Sequence, residues 1–493
     1  MPDFRGAQKD LTNPHLRFLD EEQCRKVHGA TLALLEKTGV WIDEPECLEM
    51  LRGAGARVLD MPPKSGSKIK SRVQIPSYLV ENAIRSAPES VTLYDRNGQE
   101  AMVLRDREYY FGCNIDCPDF LDPFSKERRK IRLADIRTSA VLLDHLQNMD
   151  WILTAGVICD FEKKYADRAV AREVLMTTSK PIAFCCNDPE TVTDVFDMAA
   201  AIVGGHDRLR LKPNIMVLDE QISPLLHGPE SVKRVLKAAE LGIPLIYVPM
   251  PMAGVSAPCS LIGPVLLGNA ESLSGLVIHQ LKKKGAPYIY GALPSTADMK
   301  FGSFNYGAPE LSIMCSAIAD MAHYYKLPVW GTGGCGDSNS LDAQAGVEMT
   351  LSLMSSVLAG ANLVHDIGIL SQGLLVSPTY YFFSDEIVRM VKQFARGFEV
   401  NDKTLALDLI EEIGPGGSFI SHNHTYLHYK DMWMPRLFDR TNFERLKEGH
   451  VLDCGERARQ KTIEIIETHK PTPLSKETLK DLSGVSKRWD RGV

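Results

Sequence analysis

The chain has 493 residues, of which 44% are hydrophobic and 24% are charged, as in ordinary globular proteins. This composition excludes a disordered, collagen-like or coiled-coil chain. Acidic residues number 63 and basic residues 56, so the net charge of -7 disfavours a general nucleic-acid binder. At roughly 150 residues per domain, the length allows about three domains or one barrel with additions.

Targeting and membrane signals are weak in this sequence. Eleven cysteines occur without a CxxC pair, which favours reduced, buried thiols and a cytoplasmic protein. No apolar stretch follows the charged N-terminus, so we expect no signal peptide. The uncharged run 242–270 is interrupted by five prolines, and we interpret it as a buried strand and a loop. We expect no membrane association.

The first 106 residues are predicted to form a helical N-terminal layer. Short helical patterns cover 21–38, 45–53 and 76–86. The first of them ends at Gly39, where a glycine C-cap is expected.

Residues 107–400 alternate apolar or β-branched runs with helical stretches, which is the pattern of repeated βα units. Eight strands are predicted, and they cover 107–113, 151–158, 181–186, 214–219, 244–249, 286–292, 328–332 and 361–367. Helices are predicted near 133–147, 165–178, 189–203, 229–241, 263–284, 309–326, 341–359 and 380–397. This count predicts an α/β fold, a (β/α)8 TIM barrel with helical N-terminal and C-terminal extensions. The extension 401–493 is expected to pack on the barrel or on a partner subunit.

Binding groups of such barrels lie at the C-terminal ends of the strands, because the loops converge there. The predicted strand ends carry Tyr110, Phe111, Asn114 and Asp116, then Cys159 and Asp160, Cys186 and Asn187, Asp219 and Glu220, Met250 and Met252, and finally His365 and Asp366. Between Gly242 and Tyr380 there is no arginine and there are five lysines. Carboxylates and aromatic rings with few cations favour a positively charged substrate, although acidic barrel mouths also bind metals.

A glycine-rich segment, 331–336, matches the GxGxxG pattern between a predicted strand and a helix. A dinucleotide site would need an acidic residue about 20 positions later, and no good candidate occurs there. We therefore interpret Gly331, Gly333 and Gly334 as part of a tight loop at the barrel mouth. Asp337 is expected to cap the next helix.

Histidines allow two further interpretations. His422, His424 and His428 have a spacing that zinc could use, but their aromatic neighbours favour a packed cluster, and no metal site is predicted. His365 lies beside Asp366 at a strand end, which favours a binding role over a core imidazole. No residue is assigned as a general acid or base, and neither a GxSxG elbow nor a Walker A loop occurs.

Several segments resemble the trimethylamine:corrinoid methyltransferase superfamily. They are 220–225 (EQISPL), 298–302 (DMKFG), 306–310 (YGAPE), 331–345 (GTGGCGDSNSLDAQA), 358–365 (LAGANLVH), 413–419 (IGPGGSF) and 424–428. Archaeal trimethylamine enzymes of this family carry a pyrrolysine where this chain has 368–373, which contains only ordinary residues. The chain is therefore similar to the non-pyrrolysine branch, whose members demethylate quaternary amines such as glycine betaine, proline betaine or carnitine.

This resemblance implies methyl transfer from a quaternary amine, with glycine betaine favoured, to Co(I) of a corrinoid. The chain lacks a DxHxxG corrinoid signature, so the corrinoid is expected on a separate partner protein and not tightly bound here. Tyr110 and Phe111 are the predicted aromatic cage, and Glu220 is predicted to pair with the cation. His365, beside Asp366, is assigned to a substrate carboxylate, with Lys300 as an alternative.

Other interpretations remain open at this point. A different methylamine, such as proline betaine, carnitine or trimethylamine, is one alternative substrate. An NAD-dependent barrel oxidoreductase that uses the glycine loop is another alternative function. A betaine-binding protein without catalysis is the third. We also expect a homo-oligomer.

Overall fold

The structure is a computed structural model that describes residues 12, 14–61, 70–113, 116–154, 156–442, 453–487 and 489. Asn114, which the sequence places at the first strand end, lies outside the described residues.

The N-terminal region combines helices with short strands. Its elements are α1 (Glu21–Lys37), β1 (Val40–Ile42), α2 (Pro45–Gly53), β2 (Arg57–Asp60), β3 (Ser71–Gln74), α3 (Ser77–Ser86), β4 (Val91–Tyr94) and β5 (Glu100–Leu104). The three expected helices are present, and Asp20 and Gln23 form a capping box at the start of α1. The five strands were not predicted, because runs of three to five residues carry little periodicity.

The central region alternates strands and helices as predicted. Its strands are β6 (Tyr110–Cys113), β7 (Asp119–Leu121), β8 (Arg128–Lys130), β9 (Trp151–Leu153), β10 (Ile182–Phe184), β11 (Ile215–Asp219), β12 (Leu226–His227), β13 (Leu245–Tyr247), β14 (Met252–Ala253), β15 (Tyr288–Tyr290), β16 (Ser295–Thr296), β17 (Trp330–Thr332), β18 (Leu363–Ile367), β19 (Ile369–Leu370) and β20 (Leu375–Val376). Its helices are α4 (Leu133–His145), α5 (Ala166–Thr177), α6 (Pro189–Val203), α7 (His206–Leu211), α8 (Pro229–Leu241), α9 (Ile262–Lys282), α10 (Pro309–Tyr325), α11 (Ala343–Ala359) and α12 (Pro378–Arg396).

Eight of these strands form a single parallel sheet in the order β15-β13-β11-β10-β9-β6-β18-β17. A bridge between Tyr290 and Val329 closes the sheet, and there the Tyr290 amide donates to the Pro328 carbonyl at 2.9 Å. Each of the eight lies within a predicted strand. The predicted TIM barrel is therefore confirmed.

Local sequence explains the short, regular connections. Proline occupies the first turn of α6, α8, α10 and α12, where its missing N–H costs no hydrogen bond. Asp188, Asp342 and Ser377 cap the N-termini of α6, α11 and α12. Gly204 and Gly242 end their helices in the left-handed conformation; the chain then enters α7 after Gly204 and β13 after Gly242.

Smaller sheets surround the barrel. β7 pairs antiparallel with β8 and parallel with β20, which also pairs with β19, so the loops after β6 and β18 are joined. The uncharged run 242–270 forms β13, a loop that contains β14, and the start of α9, as predicted. Within the described residues, every helix is too short or too polar to cross a bilayer.

The C-terminal region contains α13 (Asp402–Leu405), α14 (Leu407–Ile413), α15 (Asn423–His428), a 3-10 turn (Tyr429–Asp431), α16 (Cys454–Thr468) and α17 (Lys476–Ser486). α16 packs against α4 and α12, and α17 packs against α6. His469 Nε2, after α16, lies at hydrogen-bonding distance from Asp144 Oδ2 of α4, at 2.8 Å. These last two helices therefore cover the outside of the barrel.

Candidate active site

Four carboxylates meet at the mouth of the barrel, and we call them the carboxylate cluster: Asp116, Asp167, Glu220 and Asp366. Burial, and then the charge of Asp167, raise the pKa of Asp116 to about 7. Burial also raises the pKa of Glu220 to about 7, with further contributions from the charges of Asp219, Asp116 and Asp366. The cluster therefore concentrates negative charge that the surrounding protein leaves largely uncompensated.

The accessibility of these side chains indicates that they line a recess. Asp116 is exposed and Glu220 and Asp167 are half-buried, yet burial is the main cause of each raised pKa. A carboxylate on the wall of a concave surface combines solvent exposure with a pKa raised by burial, because protein surrounds it while a small molecule can still reach it. Asp366 lies deeper and is fully buried.

Glu220 is held at the mouth by its neighbours. Asp219, the last residue of β11, pairs with Arg234 of α8 at 2.5 Å, outside the barrel. The turn that follows Glu220 is fixed by Glu271 of α9, which accepts hydrogen bonds from the Ser223 hydroxyl at 2.8 Å and the Leu225 amide at 2.7 Å. The loop after β11 is thus anchored to two outer helices.

His365 and Asp366 form a buried polar pair. The His365 ring lies 4.4 Å from the Trp330 ring and 6.2 Å from the Trp151 ring, measured between centroids. His365 Nε2 lies 3.0 Å from Asp366 Oδ1, but neither His365 ring nitrogen nor Asp366 Oδ1 makes a well-formed hydrogen bond with the described residues. Burial lowers the pKa of His365 to about 3 and raises that of Asp366 to about 7. The imidazole is therefore neutral at pH 7.

The end of β18 and the loop after it are strained in their backbone. Asp366, Ser371 and Gln372 all have positive φ, at 80°, 53° and 59°. Residues without a glycine's freedom adopt this conformation at a cost of about 1–3 kcal/mol each, and such positions concentrate at functional sites. Thr332 of β17 donates a hydrogen bond to Asp366 and holds the first of them in place.

The glycine loop uses its backbone amides internally. Gly333 donates to the His365 carbonyl at 2.8 Å, and Gly334 donates to the Ser352 hydroxyl at 3.0 Å. A Cβ at Gly331 would lie 2.6 Å from the Ala361 Cβ, so this glycine is needed for close strand packing. Amides that are already bonded within the protein do not bind a pyrophosphate, which removes the physical basis for a dinucleotide site.

Asp337 does not cap the following helix, and that expectation was wrong. Asp342 caps α11, whereas Asp337 accepts hydrogen bonds from the Tyr306 amide at 2.8 Å and the Gly307 amide at 3.0 Å. No local pattern indicates a partner about thirty residues earlier in the chain. Asp337 therefore fixes the turn that carries Tyr306.

The structure does not bring Tyr110 and Phe111 together with the carboxylate cluster. Tyr110 begins β6, at the end opposite the mouth, and its hydroxyl accepts from the Val103 amide at 3.0 Å. The Phe111 ring lies under the Lys392 ammonium of α12 at 5.2 Å, outside the barrel. The observed geometry therefore does not support their assignment as an aromatic cage.

Two other aromatic rings lie near the cluster. Tyr306 is 7% exposed, and after burial the charge of Asp366 is the largest cause that raises its pKa, with Glu220 contributing as well. The Phe304 ring lies 4.7 Å from that of Tyr306. Both residues follow β15 in one loop, and the family-like YGAPE segment (306–310) was a sequence signal for Tyr306 but not for Phe304.

Other candidates lie apart from the cluster. Lys300 is exposed, with its ammonium over the Phe301 ring at 5.0 Å. His424 and His428 lie on α15 with rings 4.4 Å apart. Among the residues that the structure covers, no group of three metal-ligating side chains comes together.

Sequence reasoning noted Asp116 at the first strand end but did not assign it to the site. It missed Asp167, which lies in the first turn of α5 and accepts from the Asn187 amide at 3.0 Å and side chain at 2.8 Å. Strand-end position could have identified Asp116. Nothing local distinguishes Asp167 from an ordinary acidic residue at a helix N-terminus.

Comparison with known proteins gives consistent matches. The chain matches the family model described as trimethylamine methyltransferase (MTTB) over residues 5–492. It is 34% identical to the trimethylamine methyltransferase MttB of Desulfitobacterium hafniense (strain DCB-2), covering 95% of this chain and 93% of that protein. It is 30% identical to a glycine betaine methyltransferase of D. hafniense (strain Y51), covering 94% and 95%.

A solved structure shares the fold. The monomethylamine methyltransferase MtmB of Methanosarcina barkeri aligns with 96% of this chain and 88% of its own, with a TM-score of 0.51 and 10% identity. At that identity the likeness concerns the fold alone. The family match over nearly the whole chain, together with two relatives at 30% identity or more, shows that this protein belongs to the trimethylamine methyltransferase family.

Proposed function

We propose that this protein transfers a methyl group from a small methylated ammonium cation to the Co(I) of a corrinoid carried by a separate protein. The carboxylate cluster is the observation that supports this most strongly. Asp116, Glu220 and Asp366 each have a pKa raised to about 7 by burial. A cation in the recess relieves the repulsion that helps to raise the pKa of Asp116 and Glu220.

Two arginines near the mouth are already paired with aspartates. Arg234 pairs with Asp219 at 2.5 Å, and Arg128 pairs with Asp119 at 2.8 Å. The recess therefore offers net negative charge to a ligand. Tyr306 and Phe304 add aromatic faces, which attract an ammonium group and its methyl groups.

The reaction needs little acid or base chemistry from the protein. When the donor is a quaternary amine, the C–N bond breaks, its electron pair stays on nitrogen, and a neutral tertiary amine leaves. A bound corrinoid supplies a nucleophilic Co(I) that forms the new bond to the methyl carbon. The residues of this chain orient one N-methyl group and exclude water.

The cation must not be bound too tightly before the reaction. Positive charge leaves nitrogen as the methyl group departs, so attraction to carboxylates is stronger in the ground state than in the transition state. Carboxylates that are about half ionised at pH 7 moderate this attraction. The raised pKa of Glu220 therefore suits the chemistry as well as the binding.

An apolar rim surrounds the recess and fits the docking of a partner protein. Large hydrophobic side chains that are exposed in the loops after the barrel strands are Val157, Ile222, Val255, Met299, Phe301 and Leu374. Exposed apolar groups gathered around a mouth are typical of interaction sites. We propose that the corrinoid protein binds over this rim.

We also propose that the protein acts in the cytoplasm, because all eleven cysteines are free thiols.

A carboxylate group distinguishes glycine betaine from donors such as choline and trimethylamine. Glycine betaine, favoured from the resemblance, would need a cationic or hydrogen-bonding partner for its carboxylate. His365 is fully buried and neutral at pH 7, so it could donate a hydrogen bond to that carboxylate but offers it no positive charge. This favours a second candidate, a donor without a carboxylate such as choline or trimethylamine.

The test is a donor panel with the purified protein and its corrinoid protein reduced to Co(I). Glycine betaine, proline betaine, carnitine, choline and trimethylamine are each added, the Co(I) absorbance is followed, and the demethylated amine is identified by mass spectrometry. One or more donors must be consumed at the rate of Co(I) loss. No reaction across the panel, with a corrinoid protein shown to be competent by another methyl donor, contradicts the proposal.

A further inference from the structure

A long segment outside the barrel has no buried side chain. Residues 398–434, which we call the arm, contain α13, α14, α15 and the 3-10 turn, and each of their residues is exposed or half-buried. Large hydrophobic side chains in the arm that are more than 40% exposed are Phe398, Val400, Leu405, Leu407, Ile410, Phe419, Ile420, Tyr426, Leu427, Tyr429, Met432 and Met434. This is far more apolar surface than scattered exposed residues provide.

The second half of the arm has the composition of an interface. Residues 419–434 read FISHNHTYLHYKDMWM, in which Lys430 and Asp431 are the only charged residues besides histidines. Interface cores are enriched in aromatic residues and methionine and are depleted of charge. The other acidic residues of the arm lie in its first half, at Glu399, Asp402, Asp408, Glu411 and Glu412.

The arm has no core of its own to hold its helices. α13, α14 and α15 contain four, seven and six residues, and none has a buried side chain. Helices shorter than about 12 residues are marginal in water, so helices of this length depend on packing against another surface. A partner that covers the arm supplies that surface.

The attachment of the arm sets where the partner must lie. α12 begins at the mouth and runs to the opposite end of the barrel, where the Phe398 carbonyl accepts from the Thr12 amide at 2.9 Å. The arm returns beside the second half of α12, where Gln393 donates to the Asp431 carbonyl at 3.2 Å and Arg389 to the Met434 carbonyl at 3.1 Å. Both ends of the arm are thus anchored away from the mouth, over which the corrinoid protein must dock.

The size of the apolar surface favours a permanent partner. Twelve large side chains at the observed exposures present roughly 1,000 Å², and stable interfaces bury about 800 Å² on each side. A protein that arrives and leaves in every catalytic cycle would leave this surface in water most of the time. A second copy of the same chain covers it continuously.

We propose that the arm is the contact through which two copies of this chain assemble, with residues 419–434 at its centre. Two-fold symmetry is the commonest arrangement for such an assembly, and each arm then contributes the same patch. The proposal needs no methyl donor for its test, so its failure and that of the proposed reaction are distinguishable.

The experiment is sedimentation velocity of the full chain at about 1–20 μM, with three variants. The wild type is expected at twice 54.8 kDa or more. Replacing Ile420→Asp together with Leu427→Asp puts charges where the two side chains are 84% and 61% exposed in the single chain, so folding is unaffected. We expect this variant to run as a monomer, with a dissociation constant raised about 100-fold or more.

A second variant, Phe419→Ser with Met432→Ser, repeats the test without adding charge. The matched control is Leu211→Asp, at a side chain that is 79% exposed on α7, and it should stay assembled. A monomeric wild type, or arm variants that keep the wild-type mass, overturns the proposal. Arm variants that stay assembled but lose methyl transfer assign the arm to the corrinoid protein, which overturns it as well.

Discussion

Glu220→Gln removes one negative charge from the recess and keeps the shape of the side chain. At an effective dielectric constant of about 20, two unit charges 4 Å apart interact by about 4 kcal/mol. With a pKa raised to about 7 by burial, Glu220 is about half ionised at pH 7, and three other carboxylates remain. We therefore expect a loss of about 1.4–2.8 kcal/mol, which is a 10- to 100-fold rise in KM for a quaternary donor.

The assay measures initial rates of Co(I) loss against donor concentration between pH 6 and 8. For the wild type, KM should fall as pH rises, because ionised carboxylates bind the cation better than protonated ones. In Glu220→Gln this dependence should be shallower. Glu240→Gln is the control, because Glu240 is 51% exposed near the C-terminal end of α8, pairs with Lys237, and its replacement removes the same charge at the end of the barrel opposite the mouth. A KM at pH 8 within twofold of the wild type refutes the role of Glu220.

Tyr306→Leu should raise KM about tenfold, since a desolvated cation–π contact contributes about 1–2 kcal/mol. Phe111→Leu should leave KM unchanged and lower the stability of the protein. Equal effects of the two variants on KM would contradict our placement of the two rings. Gly334→Ala should lower the free energy of unfolding by about 1–3 kcal/mol, because φ is 101° and a Cβ would lie 3.0 Å from the neighbouring backbone. Gly346→Ala, in the first turn of α11, where a Cβ would meet only the Phe383 ring at 3.9 Å, should be neutral or stabilising by about 0.5–1 kcal/mol; denaturant titration measures both variants. Burial raises the pKa of Glu271 to about 7 in the folded state, so the folded protein holds its proton more tightly than the unfolded chain, and Tm without donor should fall from pH 6.5 to 8. Below about pH 6.5 the buried histidines, whose pKa is lowered, have the opposite effect on stability, so the measurement is confined to higher pH. Glu271→Gln should make the decrease of Tm between pH 6.5 and 8 smaller. A wild-type Tm that rises between pH 6.5 and 8 contradicts the raised pKa of Glu271.

The barrel could be predicted because its eight strands are apolar runs separated by amphipathic helices, and strand-end position led to Glu220 and Asp366. The direction in which the strand side chains point could not be predicted, because strands buried on both faces lack an alternating pattern. Phe111 and Tyr110 were therefore both placed in the cage, although one faces α12 and the other the far end of the barrel. Tyr306 could not be assigned either, since its position depends on Asp337, which is distant in sequence.

The closure of the barrel between β15 and β17 has a consequence for motion. Seven junctions of the sheet have two or three paired positions, whereas this one has the single Tyr290–Val329 bridge, and Pro328 has no N–H to donate back. Opening at this seam breaks fewer hydrogen bonds than opening anywhere else around the barrel. Tyr306 lies in the loop after β15, and the glycine loop follows β17. Transient opening between these two strands therefore changes the width of the recess.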